Sequence, residues 1–493
     1  MGALVAVADR RGEGNAAPTA VRMMRVLCDR GNDHFGLATC EDTFLTSSLQ
    51  QLSAPQMRSG IAVGYGLNRI FPKDIPQPIA DGQLRLAFEG RIYPTTAEIP
   101  DCRNALPRIG TQPDSLRKFV EETEGAYAIA VMDQERLLVA RDQLGCKPLY
   151  WGEKDGVAAF ASERKGLWAI DIRSPQTVPP GTVVTVRDDK ASLDRPKDLL
   201  LSPTQEVDLD SAASALSEMI VESIKKRSGD LKRVGVAYSG GVDSAVVASS
   251  CRLAGLEVEL FTVTVKDNSE FEHAKRSARA LGFPLATKQY SLEDLREEIP
   301  KVVSRVEKPD LMNIAIAVPF FWVAQLAEER DLQAIFVGQG ADEMFGGYDR
   351  YILAYQREGP HAASRMMIKD IQNLPQSSFE RDEQATAGSK VELRLPFIDK
   401  DLISYVLSLP MSLKIGGVQE SLQKLVLREV ARLQGIPDFV AKKPKRAVQY
   451  TTGVAASIRL LAKQQGLTPH DYVAECFNRF RKRLFDQFWL EIH

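Results

Sequence analysis

The sequence is short of the residues that mark metal-binding, disulfide-linked and exported proteins. Its six cysteines include no C-x-x-C pair and its five histidines no H-E-x-x-H spacing, so we expect neither a structural zinc site nor a disulfide framework. Unpaired cysteines suit a reducing compartment, which predicts a cytoplasmic location. The N-terminus lacks the charged-then-apolar layout of a signal peptide, and we expect no apolar stretch long enough to span a membrane.

The chain also lacks an excess of either charge. It carries 63 basic and 65 acidic residues, for a net charge of −2, and the absence of a basic excess disfavours nucleic acid as a partner. Charged residues make up 26% and hydrophobic residues 44% of its 493 positions, which is the balance of a globular enzyme with two or three cores. We therefore expect small-molecule substrates and neither a nucleic-acid nor a membrane partner.

The first 200 residues are patterned mostly as short β-strands. Many short strands with few helices predict a layered α+β domain over residues 1–200. Strands are predicted at 4–8, 86–88, 126–132, 137–140 and 183–186, with one amphipathic helix at 19–30.

A glycine turn between a strand and a helix is the clearest candidate site. Residues 234–238 form a short apolar run typical of a buried parallel strand, and residues 244–253 carry a helical pattern. Gly240 and Gly241, in the turn between them, let the backbone approach a ligand closely. Backbone N–H groups at such a turn face a helix N-terminus, and together they favour the binding of a phosphate.

Polar side chains in the same turn fit this interpretation. Ser239 and Ser244 add hydroxyl donors, whereas Asp243 is out of place beside an anion unless a cation accompanies the phosphates. The spacing matches neither the Walker A pattern nor G-x-G-x-x-G. The alternative is a glycine turn that binds nothing.

Residues 201–493 alternate strands with helices, which predicts a doubly wound parallel sheet. Ligands of such sheets lie beyond the carboxyl ends of the strands, so the turn that follows residue 337 should face the same crevice as the first turn. Asp342, in this second turn, becomes a candidate to share a magnesium ion with Asp243; alternatively, its acidic residues only cap a helix. Further strands are predicted at 258–265 and 334–337, and helices at 211–226, 270–281 and 319–329.

Both turns resemble segments of a known group of enzymes. Residues 239–244, Ser-Gly-Gly-Val-Asp-Ser, resemble the Ser-Gly-Gly-x-Asp-Ser loop of the ATP pyrophosphatases, which split ATP into AMP and pyrophosphate. Residues 338–348 resemble the Ser-Gly-Glu-Gly-Ser-Asp-Glu-x-Phe-Gly-Gly-Tyr segment of asparagine synthetases. The resemblance implies ATP and Mg²⁺ as cofactors, with Asp243 and Asp342 as metal ligands. It implies ATP or pyrophosphate contacts from Ser239, Gly240, Gly241, Asp243, Ser244, Val263, Gly338 and Gly340.

The N-terminal half is similar to the glutaminase domain of class B asparagine synthetases. Residues 30–33 resemble that domain's Arg-Gly-Pro-Asp, residues 161–165 its Ala-Ser-Glu-x-Lys, and residues 125–133 and 140–150 follow its second half. The resemblance implies an αββα sandwich of the Ntn-hydrolase type, followed by an ATP-pyrophosphatase domain at 201–493. Nearly the whole chain resembles an archaeal-like variant of the family, related also to the β-lactam synthetases.

The chemistry of the glutaminase domain is nevertheless expected to be lost. The family uses a cysteine that becomes the first residue after Met1 is removed, and this chain has Gly2 in its place. The family's Asn-Gly-Glu-Ile-Tyr segment reads Glu-Gly-Arg-Ile-Tyr at residues 89–93, and the carboxylate of Glu89 would repel a developing oxyanion. We predict a structural domain without glutaminase activity.

The resemblance also implies residues that act in catalysis. Lys424 matches the lysine of the family's Lys-x-x-Leu-Arg-Glu, and Lys445 matches a lysine just before its mobile C-terminal segment, although Lys442 or Lys443 could be the aligned residue. Lysines suit pyrophosphate because they carry compact charges. Glu392, in a segment similar to Val-Glu-x-Arg-x-Pro-Phe-x-Asp, would orient or deprotonate the amine.

Gln339 departs from the family pattern. It stands where synthetases have glutamate and β-lactam synthetases have tyrosine, and an amide cannot accept a proton at neutral pH. The resemblance implies an AMP-forming amide ligase for a small carboxylate, by default aspartate, with free ammonia as the amine. The alternatives are a ligase that uses an amine carried by its substrate, and a nucleotide-binding relative without turnover. A homodimer is possible, and the basic amphipathic tail at 477–489 is expected to dock on its own domain or on a partner subunit.

Overall fold

The computed structural model describes residues 2–52, 57–110, 113–187, 190–195, 205–265, 268–416 and 423–492. The chain divides into two compact units. Unit 1 comprises Met1–Lys197, Thr386–Lys390 and Phe477–His493, and unit 2 comprises Asp198–Ala385 and Val391–Cys476. The domain boundary expected between residues 200 and 201 lies outside the described residues.

Unit 1 is built on two antiparallel sheets. Its described strands are β1 (Gly2–Asp9), β2 (His34–Thr39), β3 (Thr43–Thr46), β4 (Ile61–Leu67), β5 (Ile79–Asp81), β6 (Leu84–Ile92), β7 (Gly125–Met132), β8 (Arg136–Arg141), β9 (Tyr150–Lys154), β10 (Val157–Ala161), β11 (Gln176–Thr177), β12 (Val183–Arg187) and β13 (Lys190–Asp194). One sheet has seven strands in the order β11-β9-β10-β1-β4-β2-β3, and the other has six in the order β13-β12-β8-β7-β6-β5.

Successive side chains of a strand point to opposite sides of its sheet. In unit 1, the side chains on both faces of each sheet pack into apolar clusters. On β1, Val5 packs into an apolar cluster with helix α1 (Ala16–Val26), whereas Leu4 packs into a second cluster with strands of the six-stranded sheet. A third cluster joins the outer face of that sheet to helices α2 (Asp101–Ala105) and α3 (Pro113–Glu122). The order helix, sheet, sheet, helix confirms the predicted αββα sandwich.

Unit 2 contains the parallel sheet. Its described strands are β14 (Arg233–Ala237), β15 (Glu257–Thr264), β16 (Leu285–Gln289), β17 (Ala334–Phe336) and β18 (Glu392–Arg394), in the order β16-β15-β14-β17-β18. The next two strands after β14 along the chain, β15 and β16, lie on one side of it, and β17 lies on the other. The carboxyl ends of β14 and β17 therefore flank the topological switch point, where doubly wound sheets bind ligands. The doubly wound fold is confirmed.

Helices complete the architecture. Unit 1 also contains a short helix, α4 (Arg164–Trp168), which follows β10. The remaining helices of the described chain are α5 (Leu209–Lys226), α6 (Val242–Leu253), α7 (Ser269–Leu281), α8 (Leu292–Val306), α9 (Leu311–Glu328), α10 (Ala341–Phe345), α11 (Asp349–Glu358), α12 (Pro360–Leu374), α13 (Glu380–Thr386), α14 (Lys400–Ser408), α15 (Leu425–Leu433), α16 (Asp438–Ala441), α17 (Val448–Thr451), α18 (Val454–Gln464) and α19 (Pro469–Ile492).

Helix α9 corrects two expectations. It begins at Leu311 rather than at residue 319, so that Pro319 lies inside it. It is also long and apolar enough, by length and composition, to cross a membrane, with a mean hydropathy of 1.5. The expectation that no such stretch exists is therefore wrong. Because 61% of this helix is buried inside unit 2, its apolar surface is that of a core helix, and such a helix is weak evidence for a membrane.

Other boundaries differ by smaller amounts. Helix α1 covers Ala16–Val26 rather than 19–30, because the chain leaves the helix at Leu27, whose N–H bonds to the carbonyl of Met24. Strand β16 was not predicted. It is an edge strand on which only Ala286 is buried, so it carries little apolar signal.

Candidate active site

The turn at residues 239–244, here called the phosphate loop, joins β14 to α6. Gly240 has a left-handed backbone with φ of +71°, which glycine adopts without strain. The hydroxyl oxygens of Ser239 and Ser244 lie 3.3 Å apart, and the Gly241 N–H donates to the Ser239 hydroxyl over 3.4 Å. These bonds are long and weak. The loop therefore presents polar groups that a phosphate can bind more strongly.

The second turn, residues 338–348, here called the acidic loop, abuts the phosphate loop. A side chain at Gly338 would place its Cβ 3.1 Å from the Cβ of Asp243. Gly340 has φ of +88° and begins helix α10, which carries Asp342 in its first turn. The two loops thus meet at the carboxyl ends of the neighbouring strands β14 and β17.

A buried lysine joins the aspartates of the two loops. The Nζ of Lys424 lies 2.6 Å from an oxygen of Asp243 and 2.6 Å from Oδ1 of Asp342. Lys424 is 2% exposed and begins α15 with φ of 60°, a conformation that is uncommon outside glycine. Strained residues of this kind cluster at functional sites. The backbone and the two carboxylates together fix the position of this ammonium group.

The charges of this cluster stabilise one another. Burial alone would raise the pKa of Asp342, but Lys424 and Lys445 outweigh burial and hold that pKa below its usual value. Burial would likewise lower the pKa of Lys424, but Asp243 and Asp342 hold it above its usual value. Asp342 is therefore ionised and Lys424 is protonated at neutral pH.

The structure distinguishes the three candidate lysines of residues 442–446, here called the lysine segment. Lys445 contacts Asp342 Oδ2 and lies over the ring of Tyr348, with its Nζ 4.1 Å from the ring centre. Lys442 is exposed and pairs with Asp438 on its own helical turn, and Lys443 pairs with Glu270. Of the three, only Lys445 reaches the aspartate cluster.

Two further residues of the acidic loop belong to this cluster. The hydroxyl of Tyr348 donates to the Glu343 carboxylate over 2.7 Å. Burial, with the charge of Asp342, raises the pKa of Glu343, and burial with Glu343 raises the pKa of Tyr348. The aromatic wall beneath Lys445 was not predicted, although the sequence places Tyr348 at the end of the resembling segment.

Gln339 is held by a residue that sequence reasoning missed. Its side-chain amide donates to Oδ2 of Asp382, and Arg381 lies 2.7 Å from the other oxygen of that carboxylate. Burial raises the pKa of Asp382, and Arg381 offsets only part of this effect. The contact spans 43 residues of sequence, so no local pattern could have indicated it.

Two predicted site residues, Glu392 and Val263, form no hydrogen bond or ion pair with Asp243, Asp342 or Lys424 in the part of the chain that the structure describes. Glu392 is 3% exposed, pairs with Arg394 over 2.8 Å, and stands in register with Ala334 at the start of β17. The acidic loop follows the opposite end of β17, so the structure does not bring Glu392 into the cluster. Val263 is buried near the carboxyl end of β15, on the same edge of the sheet as the phosphate loop.

In unit 1, the surroundings of Gly2 contain no room for a side chain. A Cβ at this position would meet the ring and hydroxyl of Tyr65 and would lie 2.5 Å from the carbonyl oxygen of Gly66. The Gly2 carbonyl accepts from Arg30, whose guanidinium also lies 2.5 Å from Glu89. The position expected for a nucleophile is thus filled by neighbouring groups.

A pocket lined in part by Tyr65 in unit 1 is also occupied by protein side chains. Tyr65, Gly90 and Arg91 are among the residues that line a cavity of about 20 Å³, which is room for roughly one water molecule. Arg91 spans it with bonds of 2.5 and 2.9 Å to Asp74 and of 3.2 Å to Asp101. The charged groups that line this pocket are therefore paired with one another.

Family comparison assigns the chain. The asparagine synthase model matches residues 215–363 and 353–489, more than half of the chain, and the glutamine amidotransferase domain model matches residues 68–169. The chain belongs to the asparagine synthase family. Membership implies a carbon–nitrogen ligase of the amidotransferase type.

Two relatives carry names that agree with this assignment. The chain is 29% identical to a protein of Methanocaldococcus jannaschii provisionally named asparagine synthetase [glutamine-hydrolyzing] 1, over 96% of this chain and 97% of that one. It is 25% identical to asparagine synthetase [glutamine-hydrolyzing] 3 of Arabidopsis thaliana, over 89% and 76% of the two chains. A solved structure of the allosteric regulatory enzyme of purine biosynthesis matches at a TM-score of 0.36 and 14% identity, over 58% of this chain and 80% of that one.

The asparagine synthase fold suggests a divalent cation with ATP, and the donor set here fits one. No group of three or more histidine, cysteine or acidic side chains suited to a metal occurs in the part of the chain that the structure describes. Mg²⁺ needs only one or two carboxylates, since phosphate oxygens and waters supply the rest. Asp243 and Asp342 meet that requirement because they already share one cation, the ammonium of Lys424.

Proposed function

We propose that this protein is an ATP-dependent amide ligase that activates a carboxylate as an acyl-adenylate, with aspartate as the default acid. The single observation that carries the proposal is the convergence of Asp243 and Asp342, 99 positions apart in sequence, on Lys424 beside the phosphate loop. Such a cluster is of the right charge type to hold a nucleotide with its metal ion.

The proposed first step forms one bond and breaks another. An oxygen of the substrate carboxylate attacks the α-phosphorus of ATP, and the bond from that phosphorus to the bridging oxygen breaks, so that pyrophosphate leaves. The phosphate loop would bind the leaving pyrophosphate through its N–H and hydroxyl groups. Lys445 and Lys424 would offset its charge. A bound Mg²⁺, held by Asp243 and Asp342, would supply further charge neutralisation at the phosphate oxygens.

In the second step, an amine attacks the acyl carbon and AMP leaves. The attacking nitrogen must lose a proton, and Gln339 cannot accept it. Asp382 is the carboxylate in contact with Gln339, and a carboxylate with a raised pKa is a stronger base than an ordinary one. We assign the orientation of Gln339, and the uptake of the proton through water, to Asp382 rather than to Glu392.

We propose free ammonia rather than glutamine as the amine donor. The support for this comes from unit 1, where Gly2 offers no nucleophile and Tyr65 occupies the space of a side chain there. Glu89, moreover, is bound to Arg30 and would disfavour an oxyanion. A ligase that uses an amine of its own substrate is a second candidate, favoured by the same defects of unit 1.

The test is a two-part assay on the whole protein. Labelled pyrophosphate should exchange into ATP when aspartate or another acid is present, and AMP release should rise with ammonia but not with glutamine. Asp243→Asn should strongly reduce exchange, whereas Asp210→Asn, on the exposed face of α5, should not. Absence of exchange with every acid, in protein that binds ATP, would favour a non-catalytic relative. Turnover driven by glutamine would overturn the assignment of the amine.

A further inference from the structure

Helix α7 contacts the phosphate loop at Gly240. His273 Nε2 lies 3.0 Å from the Gly240 carbonyl oxygen, and because a carbonyl oxygen only accepts, Nε2 carries the proton. A side chain at Gly240 would place its Cβ 3.0 Å from the Cα of Ala274. The helix therefore forms a wall that sets the orientation of the Gly240 peptide.

The same end of α7 also holds the lysine segment. Glu270 Oε2 lies 2.7 Å from Lys443 Nζ, and Glu270 Oε1 lies 3.0 Å from Arg446 Nη1. Burial would raise the pKa of Glu270, but Lys443 and Arg446 hold it below its usual value, so the carboxylate is charged at neutral pH. Lys445 lies between these two partners in sequence, so restraining both of them restrains the backbone from which Lys445 reaches Asp342.

Backbone contacts extend this attachment beyond the lysine segment. The side-chain amide of Asn268, which caps α7, donates to the Thr451 carbonyl over 3.0 Å. The Val265 N–H donates to the Thr452 carbonyl over 3.0 Å. Residues 443–452 are thus attached at one end to Glu270 of α7 and at the other to Val265 and Asn268. Between these attachments, Lys445 extends across to Asp342.

We propose that Glu270 and His273 are positioning residues that couple the lysine segment to the phosphate loop through one helix. Glu270 aims Lys445, and His273 orients the loop that receives the phosphates. This inference rests on the proposed function for its kinetic consequences, whereas its structural consequences can be tested without turnover. Because the two residues are three positions apart on α7, their side chains lie on the same face of the helix.

The kinetic test separates the two roles. Lys445 acts on charge that develops during the reaction, so Glu270→Gln should lower kcat roughly tenfold or more with less than about a twofold change in KM for ATP. His273→Ala should chiefly raise KM for ATP, and His273→Gln, which keeps a donor, should restore part of it. Glu272→Gln is the matched control because Glu272 lies on the same helix, is 64% exposed and pairs with Lys275.

Hydrogen–deuterium exchange of the unliganded protein supplies a readout that does not need activity. Glu270→Gln should increase exchange at residues 443–452, and Glu272→Gln should leave it unchanged. Unchanged exchange in Glu270→Gln would overturn the proposal, and so would increased exchange with kcat intact. If the wild-type protein shows no turnover with any acid, the proposed function fails, and the exchange result alone decides whether the attachment exists.

Discussion

Replacing Gly347 by alanine should disable the cluster of Asp243, Asp342 and Lys424, although no charged residue is substituted. The Cβ of an alanine there would lie 2.5 Å from Lys424 Cε and 2.9 Å from Asp342 Cα, whereas carbon atoms in contact are normally about 3.5–4.0 Å apart. Relief requires a shift of about 1 Å in Lys424 or in Asp342. Neither can move freely, because Lys424 is bonded to two carboxylates and the Gly347 N–H is bonded to the Asp342 carbonyl over 2.7 Å.

The expected magnitude follows from that shift. Overpacking of this kind typically costs about 1–3 kcal/mol of folding free energy, and a misplacement of about 1 Å at a reacting centre costs roughly 100-fold in rate. Gly347→Ala should therefore lower pyrophosphate exchange about 100-fold while thermal unfolding still shows a folded protein. Gly60→Ala is the control, since among the described residues its Cβ would meet only the Asp9 carbonyl oxygen, at 3.7 Å. Wild-type exchange in a well-folded Gly347→Ala protein would refute the reasoning.

Three further predictions concern other parts of the chain. Lys445→Gln should reduce AMP formation at least about tenfold, whereas Lys442→Gln should not reduce it. Equal effects of the two substitutions would contradict the assignment of Lys445 to the active site. Gly2→Cys should release no glutamate from glutamine, because Tyr65 occupies the space that the thiol needs; measurable release would contradict this. Burial lowers the pKa of Lys414 from 10.5 to about 7, so the folded protein binds fewer protons than the unfolded chain between these values, and stability rises with pH across that range. Lys414→Met should therefore raise the free energy of unfolding by about 4 kcal/mol at pH 7 and by little above pH 10.5. Chemical denaturation at the two pH values measures this difference. An equal gain at both would contradict the lowered pKa of Lys414.

Much of the site followed from local sequence signals. A run of apolar residues followed by glycine, serine and aspartate marks the end of a buried parallel strand, so the phosphate loop and the acidic loop could both be recognised. The rule that ligands lie at the carboxyl ends of such strands then predicted that Asp243 and Asp342 would be neighbours. Their shared contact with Lys424 agrees with that expectation.

The parts that sequence reasoning missed depend on contacts between distant residues. Glu392 was expected at the site, but a three-residue strand does not reveal which of its ends faces the crevice, and Glu392 occupies the far end. Asp382 gave no signal because its contact with Gln339 arises only from tertiary packing. The helix predicted from residue 319 begins at Leu311, because tertiary packing of a buried helix tolerates Pro319 in its interior.

The central claim is that the carboxylates of Asp243 and Asp342 act together on one nucleotide. Pyrophosphate–ATP exchange in Asp243→Asn, Asp342→Asn and the double variant measures this directly, because groups that act as a unit show strongly non-additive losses. We predict that the double variant loses little more activity than either single variant. Losses that multiply would show that the two aspartates act independently and would contradict the account.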